Sequence, residues 1–334
     1  MSASIRTLRG RRGRRGRRTS LTSALVAAAL ALAACSNSGN NSLAPPGSTG
    51  GASGGAVAAQ AYDSIITGSP VADAAAITPG SWSDKIKQRG YLQVGGTDAG
   101  KLFSLKDPAT GRLTGFDAGL SQMLAHYITG KTTVQDLTKL TITTVDTRET
   151  LIQNGTVDAV FATYTITPAR AKKVAFAGPY YESGDAIMVK KDNTSITKVG
   201  DLAGKQVATE TNSTAALAIK KYAPTASVLL FANDAQCVAA VQQGRADAYV
   251  LDQGILISDA STNPAVKVVG QPFTKEPYGI GLPLNDAQAK TFVNDWLKKI
   301  YADGSWVKLW KATIGSVVSG DAPAPPSIGS ADGS

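Results

Sequence analysis

The sequence predicts an α/β protein built as two similar lobes, each an open sheet flanked by helices. Three observations predict it. Strand-like and helix-like stretches alternate from 82 to 316. Residues 152–166 lie over 241–255 as a weak internal repeat in which Gln, Gly, Asp, Ala and a final Ile coincide. With 334 residues and 43 % hydrophobic content there is material for two cores, yet no stretch beyond the leader approaches the roughly 18 apolar residues of a spanning helix.

The chain opens on eight arginines within residues 1–18 and has no Lys, Asp or Glu before residue 35. A short apolar run, 25–34, follows. A basic head and a brief apolar segment ending in small residues read as an export signal, 1–34. The formal net charge of +9 suggests a nucleic-acid or anionic-membrane partner, but eight of those charges lie in this leader. The remainder holds 26 basic against 25 acidic side chains, net +1, so no nucleic-acid partner is expected. The signal ends Leu32-Ala33-Ala34-Cys35, which resembles a bacterial lipobox. That resemblance implies a lipidated Cys35, an anchor on the outer face of the cell membrane, and an unpaired Cys237. Residues 36–60 are rich in Ser, Asn, Gly, Pro and Ala and read as a tether. Residues 61–80 could dock or stay loose and are grouped with it, giving a flexible segment 35–80.

Strands are expected at 91–95, 140–145, 158–162 and 186–190, and again at 206–209, 228–231, 248–251, 266–269 and 280–284. Helices are expected at 116–128, 148–153, from Thr167-Pro168 onward, 213–222, 235–243 and 286–302, with a short one closing the chain. Lobe 1 spans 81–187 and 277–316, lobe 2 spans 188–276, and 317–334 reads as a disordered tail. In the repeat register Thr163 and Asp252 both fall at the carboxyl end of a strand, where open α/β sheets bind ligands.

Gly95-Gly-Thr-Asp-Ala-Gly100-Lys101-Leu102 has the spacing of a phosphate-binding loop. It lacks the Ser or Thr needed at position 102, and turn chemistry follows it instead of a helix. One His and two Cys exclude a His-rich metal centre or a disulfide scaffold, and no nucleophile-elbow or zinc-protease motif is present. No metal, cofactor or catalytic residue is assigned. Thr163 and Thr165 alternate along an extended segment, so both hydroxyls face one side. Thr167 caps a helix whose first turn carries Arg170, a good carboxylate clamp or else a plain surface residue. Ser213 and Thr214 open the helix after the strand at 206–209, as a second anion-receptive edge or as plain capping.

Several segments together resemble family 3 of the bacterial extracellular solute-binding proteins, and in particular actinobacterial glutamate-binding lipoproteins of ABC transporters. They are Gly115-Phe-Asp117, Arg148-Glu-Thr-Leu-Ile-Gln-Asn-Gly-Thr-Val-Asp158, Ala162-Thr-Tyr-Thr-Ile-Thr-Pro-Ala-Arg170, Phe176-Ala-Gly-Pro-Tyr180, Asp201-Leu-Ala-Gly-Lys205 and Gly244-Arg-Ala-Asp247. The resemblance covers about 85–316 and implies a type II periplasmic-binding-protein-like fold, two lobes joined by two hinge strands, in a monomer that delivers glutamate to a permease. Aspartate, glutamine and asparagine stay open. It implies that Arg170 holds the ligand α-carboxylate with Ser213 and Thr214, that Asp252 pairs with the α-ammonium, and that Thr163 and Thr165 complete the shell. Many members place an aromatic wall just after the first strand; here that stretch reads Asp98-Ala-Gly-Lys101-Leu. Lys101 becomes the candidate for a ligand side-chain carboxylate. A dehydratase related to the family and a sensor module are the alternatives; the first lacks an acid–base pair, the second a signalling domain.

Overall fold

The computed structural model describes residues 51–334, with side chains described from residue 58. The export signal, Cys35 and the first part of the tether lie outside the described residues. Among those described, no helix is long and apolar enough to cross a membrane.

The first lobe begins with α1 (Gly51–Thr67), α2 (Trp82–Arg89), β1 (Leu92–Gly96) and a small three-stranded ribbon of β2 (Ala99–Gly100), β3 (Ser104–Lys106) and β4 (Leu113–Thr114). Then come α3 (Phe116–Thr129), β5 (Thr138–Ile142), α4 (Arg148–Gln153), β6 (Ala159–Val160), α5 (Pro168–Ala171) and β7 (Ala175–Ser183). The second lobe follows as β8 (Asp185–Lys190), β9 (Gln206–Glu210), α6 (Thr214–Tyr222), β10 (Ser227–Phe231), α7 (Asp234–Gln242), β11 (Ala248–Asp252), α8 (Gln253–Thr262) and β12 (Val266–Val269). The chain returns through β13 (Glu276–Leu282), α9 (Ala287–Ala302) and α10 (Ser305–Ala312).

Each lobe has one five-stranded sheet, ordered β5-β1-β6-β13-β7 and β10-β9-β11-β8-β12. In each, three parallel strands continue into two antiparallel ones. The internal repeat is therefore structural. Its shared aspartate does the same work twice: the Gln93 amide donates to the Asp158 carboxylate at 2.7 Å, and the Gln206 amide to Asp247 at 2.8 Å. Each pins the start of a central strand to the strand beside it. Gly155 and Gly244, both at φ +73°, turn the chain from helix to strand at matching places.

Three clusters of buried apolar side chains result: one around Phe116, Tyr180, Trp296 and Trp306, a second around Met188, Val207, Ile219 and Tyr249, and a smaller third in the first lobe around Ile152, Tyr164 and Phe176. All four tryptophans of the chain, Trp82, Trp296, Trp306 and Trp310, belong to the first. The lobes exchange chain at Gly184 and again between β12 and β13. Asp185–Ile187, expected in lobe 1, thus begin the second sheet, and Glu276, expected in lobe 2, begins the returning strand of the first.

The ends of the domain differ from expectation. Within the expected flexible segment 35–80, α1 packs on lobe 1, with Tyr62 and Ile66 buried and the Tyr62 hydroxyl donating to the Gly115 carbonyl at 2.9 Å. Arg112 reaches back to pair with Asp63 and to donate to the Ala59 carbonyl. Two apolar anchors in an otherwise small-residue stretch suffice to dock it. The tail 317–334 also lies on lobe 1 rather than free. Val318, Ala322 and Ile328 pack against the first core, and the Gly329 amide donates to the Gly178 carbonyl at 2.9 Å. Sparse apolar residues in a proline-rich extended chain give it that foothold. The loop at 95–102 contains β2 and leads into β3 and not a helix, so it has no phosphate-binding geometry.

Candidate functional site

The carboxyl ends of the central strands of both sheets face one cleft between the lobes. On the first side, Asp117 in the opening turn of α3 accepts from the Thr163 amide at 2.7 Å and from the Tyr180 hydroxyl at 2.8 Å. This holds Thr163 at φ +45°, an unusual conformation for a β-branched residue. Thr165, two residues on, bridges to Tyr278 of β13. Thr167 caps α5 by accepting from the Arg170 amide at 3.2 Å, and Pro168 supplies the first helical residue.

Arg170 is 9 % exposed. Its Nη1 donates to the Thr165 carbonyl at 2.9 Å, and its Nη2 reaches across the cleft to the Asn212 carbonyl at 3.4 Å. Arg148, at the first turn of α4, is 5 % exposed and donates to the Ala162 carbonyl at 3.1 Å, while its Nε has no hydrogen-bond partner. Both guanidinium groups lie over the Tyr164 ring, at 3.8 Å for Arg148 and 5.3 Å for Arg170. One aromatic ring thus orients two buried cations. Neither forms an ion pair among the described residues. Burial, and after it the charge of Arg170, pulls Arg148 down to about 10, so it stays charged at neutral pH.

Facing them, Asp252 ends β11 and is 5 % exposed, with Oδ1 unpartnered. Burial, then Glu276, pushes its carboxyl up to about 7. Its cross-strand neighbour Asp185 is fully buried with both oxygens unpartnered, and it is raised by burial, then Asp252 and Glu276. Three carboxyl groups therefore meet where the chain crosses between lobes. A carboxyl raised in the folded state holds a proton that the unfolded chain has lost, so the stability it contributes is present at low pH and fades as pH rises through its raised value. For Asp252 the window runs from the ordinary carboxyl range to about 7; Asp117, Glu210 and Asp259 act with the same sign. The melting temperature of the ligand-free protein should fall between about pH 5 and about pH 8. Asp185→Asn should flatten that fall; an unchanged slope would refute the protonated cluster.

A small cavity of about 30 Å³ is lined by Thr163, Thr165, Arg170, Ser213, Thr214 and Asp252, among others. Six of the seven ligand residues named from the sequence thus converge on one point. The exception is Lys101, which is exposed and does not line the cleft. The ribbon turns it out to solvent, whereas Arg148 is a buried basic residue lining both cavities. Ser213 is present mainly as a cap. Its hydroxyl accepts from the Ala216 amide at 3.1 Å and lies 2.7 Å from the Glu210 carbonyl, to which it donates.

A larger cavity of about 320 Å³ continues from the first and shares Val145, Arg148, Thr163, Glu210 and Ile255 with it. Phe103 lines it, one residue past the stretch in which the sequence shows no aromatic wall. A Cβ added at Gly254 would sit 2.7 Å from the Phe103 ring, so the bare backbone of α8 allows the lobes to meet there. Leu102 and Ser258, and Asn212 and Asp146, are hydrogen-bonded across the same cleft. Arg148, Glu210 and Phe103 are among the cleft residues that sequence reasoning missed. For Arg148 the available signal was a charged residue opening both a short helix and the segment Arg148–Asp158 that carries the resemblance.

The family model for bacterial extracellular solute-binding proteins, family 3, matches residues 92–315. A glutamine-binding protein of Bacillus subtilis is 36 % identical over 215 residues, 64 % of this chain and 77 % of its own. A glutamate-binding protein of Corynebacterium efficiens is 38 % identical over 175 residues, 50 % of this chain and 60 % of its own. Among solved structures, an ancestral amino-acid-binding protein, a precursor of cyclohexadienyl dehydratase, superposes with a TM-score of 0.62 at 37 % identity, covering 70 % of this chain and 99 % of the other.

Proposed function

The chain belongs to the bacterial extracellular solute-binding proteins, family 3, and from that membership we propose that it captures an amino acid outside the membrane, glutamate before others, and hands it to the permease of an ABC transporter. One observation carries the reading. A buried guanidinium, Arg170, and a buried carboxylate, Asp252, line the same small cavity between two lobes. That is the charge pattern of an amino-acid zwitterion in reverse. The α-carboxylate takes Arg170 and the amides opening α6, and the α-ammonium takes Asp252, with Thr163 and Thr165 beside them.

Glutamate is favoured because a second buried cation, Arg148, lines both the clamp cavity and its larger continuation, and because the corynebacterial relative is named for glutamate. The ligand would touch both lobes, so its binding energy favours the closed arrangement over a hinged-open one. The leader and Cys35 support attachment to the outer face of the membrane through a lipid, with the permease as the protein partner. A thermal-shift panel of the twenty amino acids tests the reading. The largest rise is expected with glutamate, and no rise with any of them would overturn it.

A further inference from the structure

Beyond the clamp, the larger cavity has a composition that the zwitterion does not use. Arg148 is the one basic residue lining it among the described residues, whereas Asp98, Glu210 and Asp234 are acidic. Arg148 offers a buried Nε with no partner. Glu210, at the end of β9, lines both the clamp cavity and its continuation. Arg148 lines both as well, so a ligand side chain leaving Arg170 and Asp252 for the larger cavity meets these two residues. We propose that these two residues read the end of that side chain, and that Glu210, by carrying or lacking a proton, sets whether a carboxylate or a carboxamide is preferred. The proposal rests on the amino-acid reading above.

The chemistry follows from donors and acceptors. Arg148 donates to a side-chain oxygen in either ligand. Protonated Glu210 donates its O–H to a second carboxylate oxygen, and the site then holds one cation against one anion. Ionised Glu210 repels a carboxylate but accepts from a carboxamide N–H. Binding glutamate when Glu210 starts ionised thus takes up one proton; binding glutamine does not. The surroundings poise Glu210 between the two. Burial and the charge of Asp234 on α7 raise it, Arg148 on α4 lowers it and Asp252 on β11 raises it, leaving it at about 7. Asp259 on α8, Cys237 on α7 and Tyr249 on β11 also face it, and none of them is cationic. Protonation of Asp252 weakens every amino acid alike, and comparing the glutamate-to-glutamine ratio in the wild type and in Glu210→Gln separates Glu210 from Asp234, the other raised acid lining the cavity.

The test is calorimetry of the whole chain with glutamate and glutamine at about pH 6 and about pH 8. The affinity ratio of glutamate to glutamine should fall about tenfold over that interval. Glu210→Gln, close in shape, should make the ratio independent of pH and shift it toward glutamate. Arg148→Gln should lose glutamate at least about tenfold more than glutamine, and Arg148→Lys should restore part of that loss. A ratio that titrates in Glu210→Gln as in the wild type overturns the pair and leaves the receptor reading intact. A wild-type protein that binds no amino acid overturns both.

Discussion

Arg170→Ala is expected to weaken amino-acid binding by about 2–5 kcal/mol, because a buried carboxylate would lose its charged partner. That corresponds to a loss of roughly thirtyfold to several thousandfold in affinity. The effect has two sources. The guanidinium itself disappears from a site where it is 9 % exposed and held by the Thr165 carbonyl. Asp252 also loses a cation that lowers its pKa. Its carboxyl then rises further, and the ammonium half of the ligand meets a protonated acid. Calorimetry with glutamate reads the sum, and urea unfolding of the free variant shows that the fold persists. A variant that binds glutamate as tightly as the wild type would mean that the α-carboxylate sits elsewhere.

The second large effect is on stability. Trp306→Ala should cost about 3–5 kcal/mol, the usual range for emptying a large aromatic site in a packed core. Trp306 is fully buried, meets the Phe116 ring edge-on at 5.5 Å, and donates from Nε1 to the Tyr180 carbonyl at 2.9 Å. The same contact supports the site at one remove. Tyr180 donates to Asp117, and Asp117 holds the Thr163 amide at the cleft. Trp306→Phe keeps most of the volume but orphans a buried carbonyl, and should cost about 1–3 kcal/mol. Denaturant titration measures both. Less than about 1 kcal/mol lost in the alanine variant would show that lobe 1 repacks around the gap.

Much of the architecture was legible because it is repeated and local. The recurring Gly and Asp of 152–166 and 241–255 report a helix stop and a strand start in each lobe, and those are properties of neighbouring residues. Arg170 was legible for the same reason: its cap, its proline and its hydroxyl neighbours all lie within eight positions. Arg148 was not. In sequence it merely begins a short helix. It comes to line the cleft beside Arg170 through contacts made after β6, where the Tyr164 ring lies under both guanidinium groups and the Ala162 carbonyl accepts from Arg148. Lys101 failed in the opposite direction, since position after the first strand does not show which way a ribbon turns its side chains. Ser213 illustrates a third case. Capping and ligand binding call for the same residue at the same place, and only the hydrogen bond to the Glu210 carbonyl separates them. The docking of α1 and of the tail depends on few apolar residues, too sparse to register as a periodic pattern.

The gathering of all four tryptophans in the first core makes the molecule optically one-sided. Indole emission follows lobe 1 and is blind to the packing of lobe 2, whose largest buried ring is Tyr249. Far-ultraviolet dichroism sees the helices of both. If the two halves melt separately, the two signals part company, and a single denaturation midpoint taken from fluorescence describes half a protein.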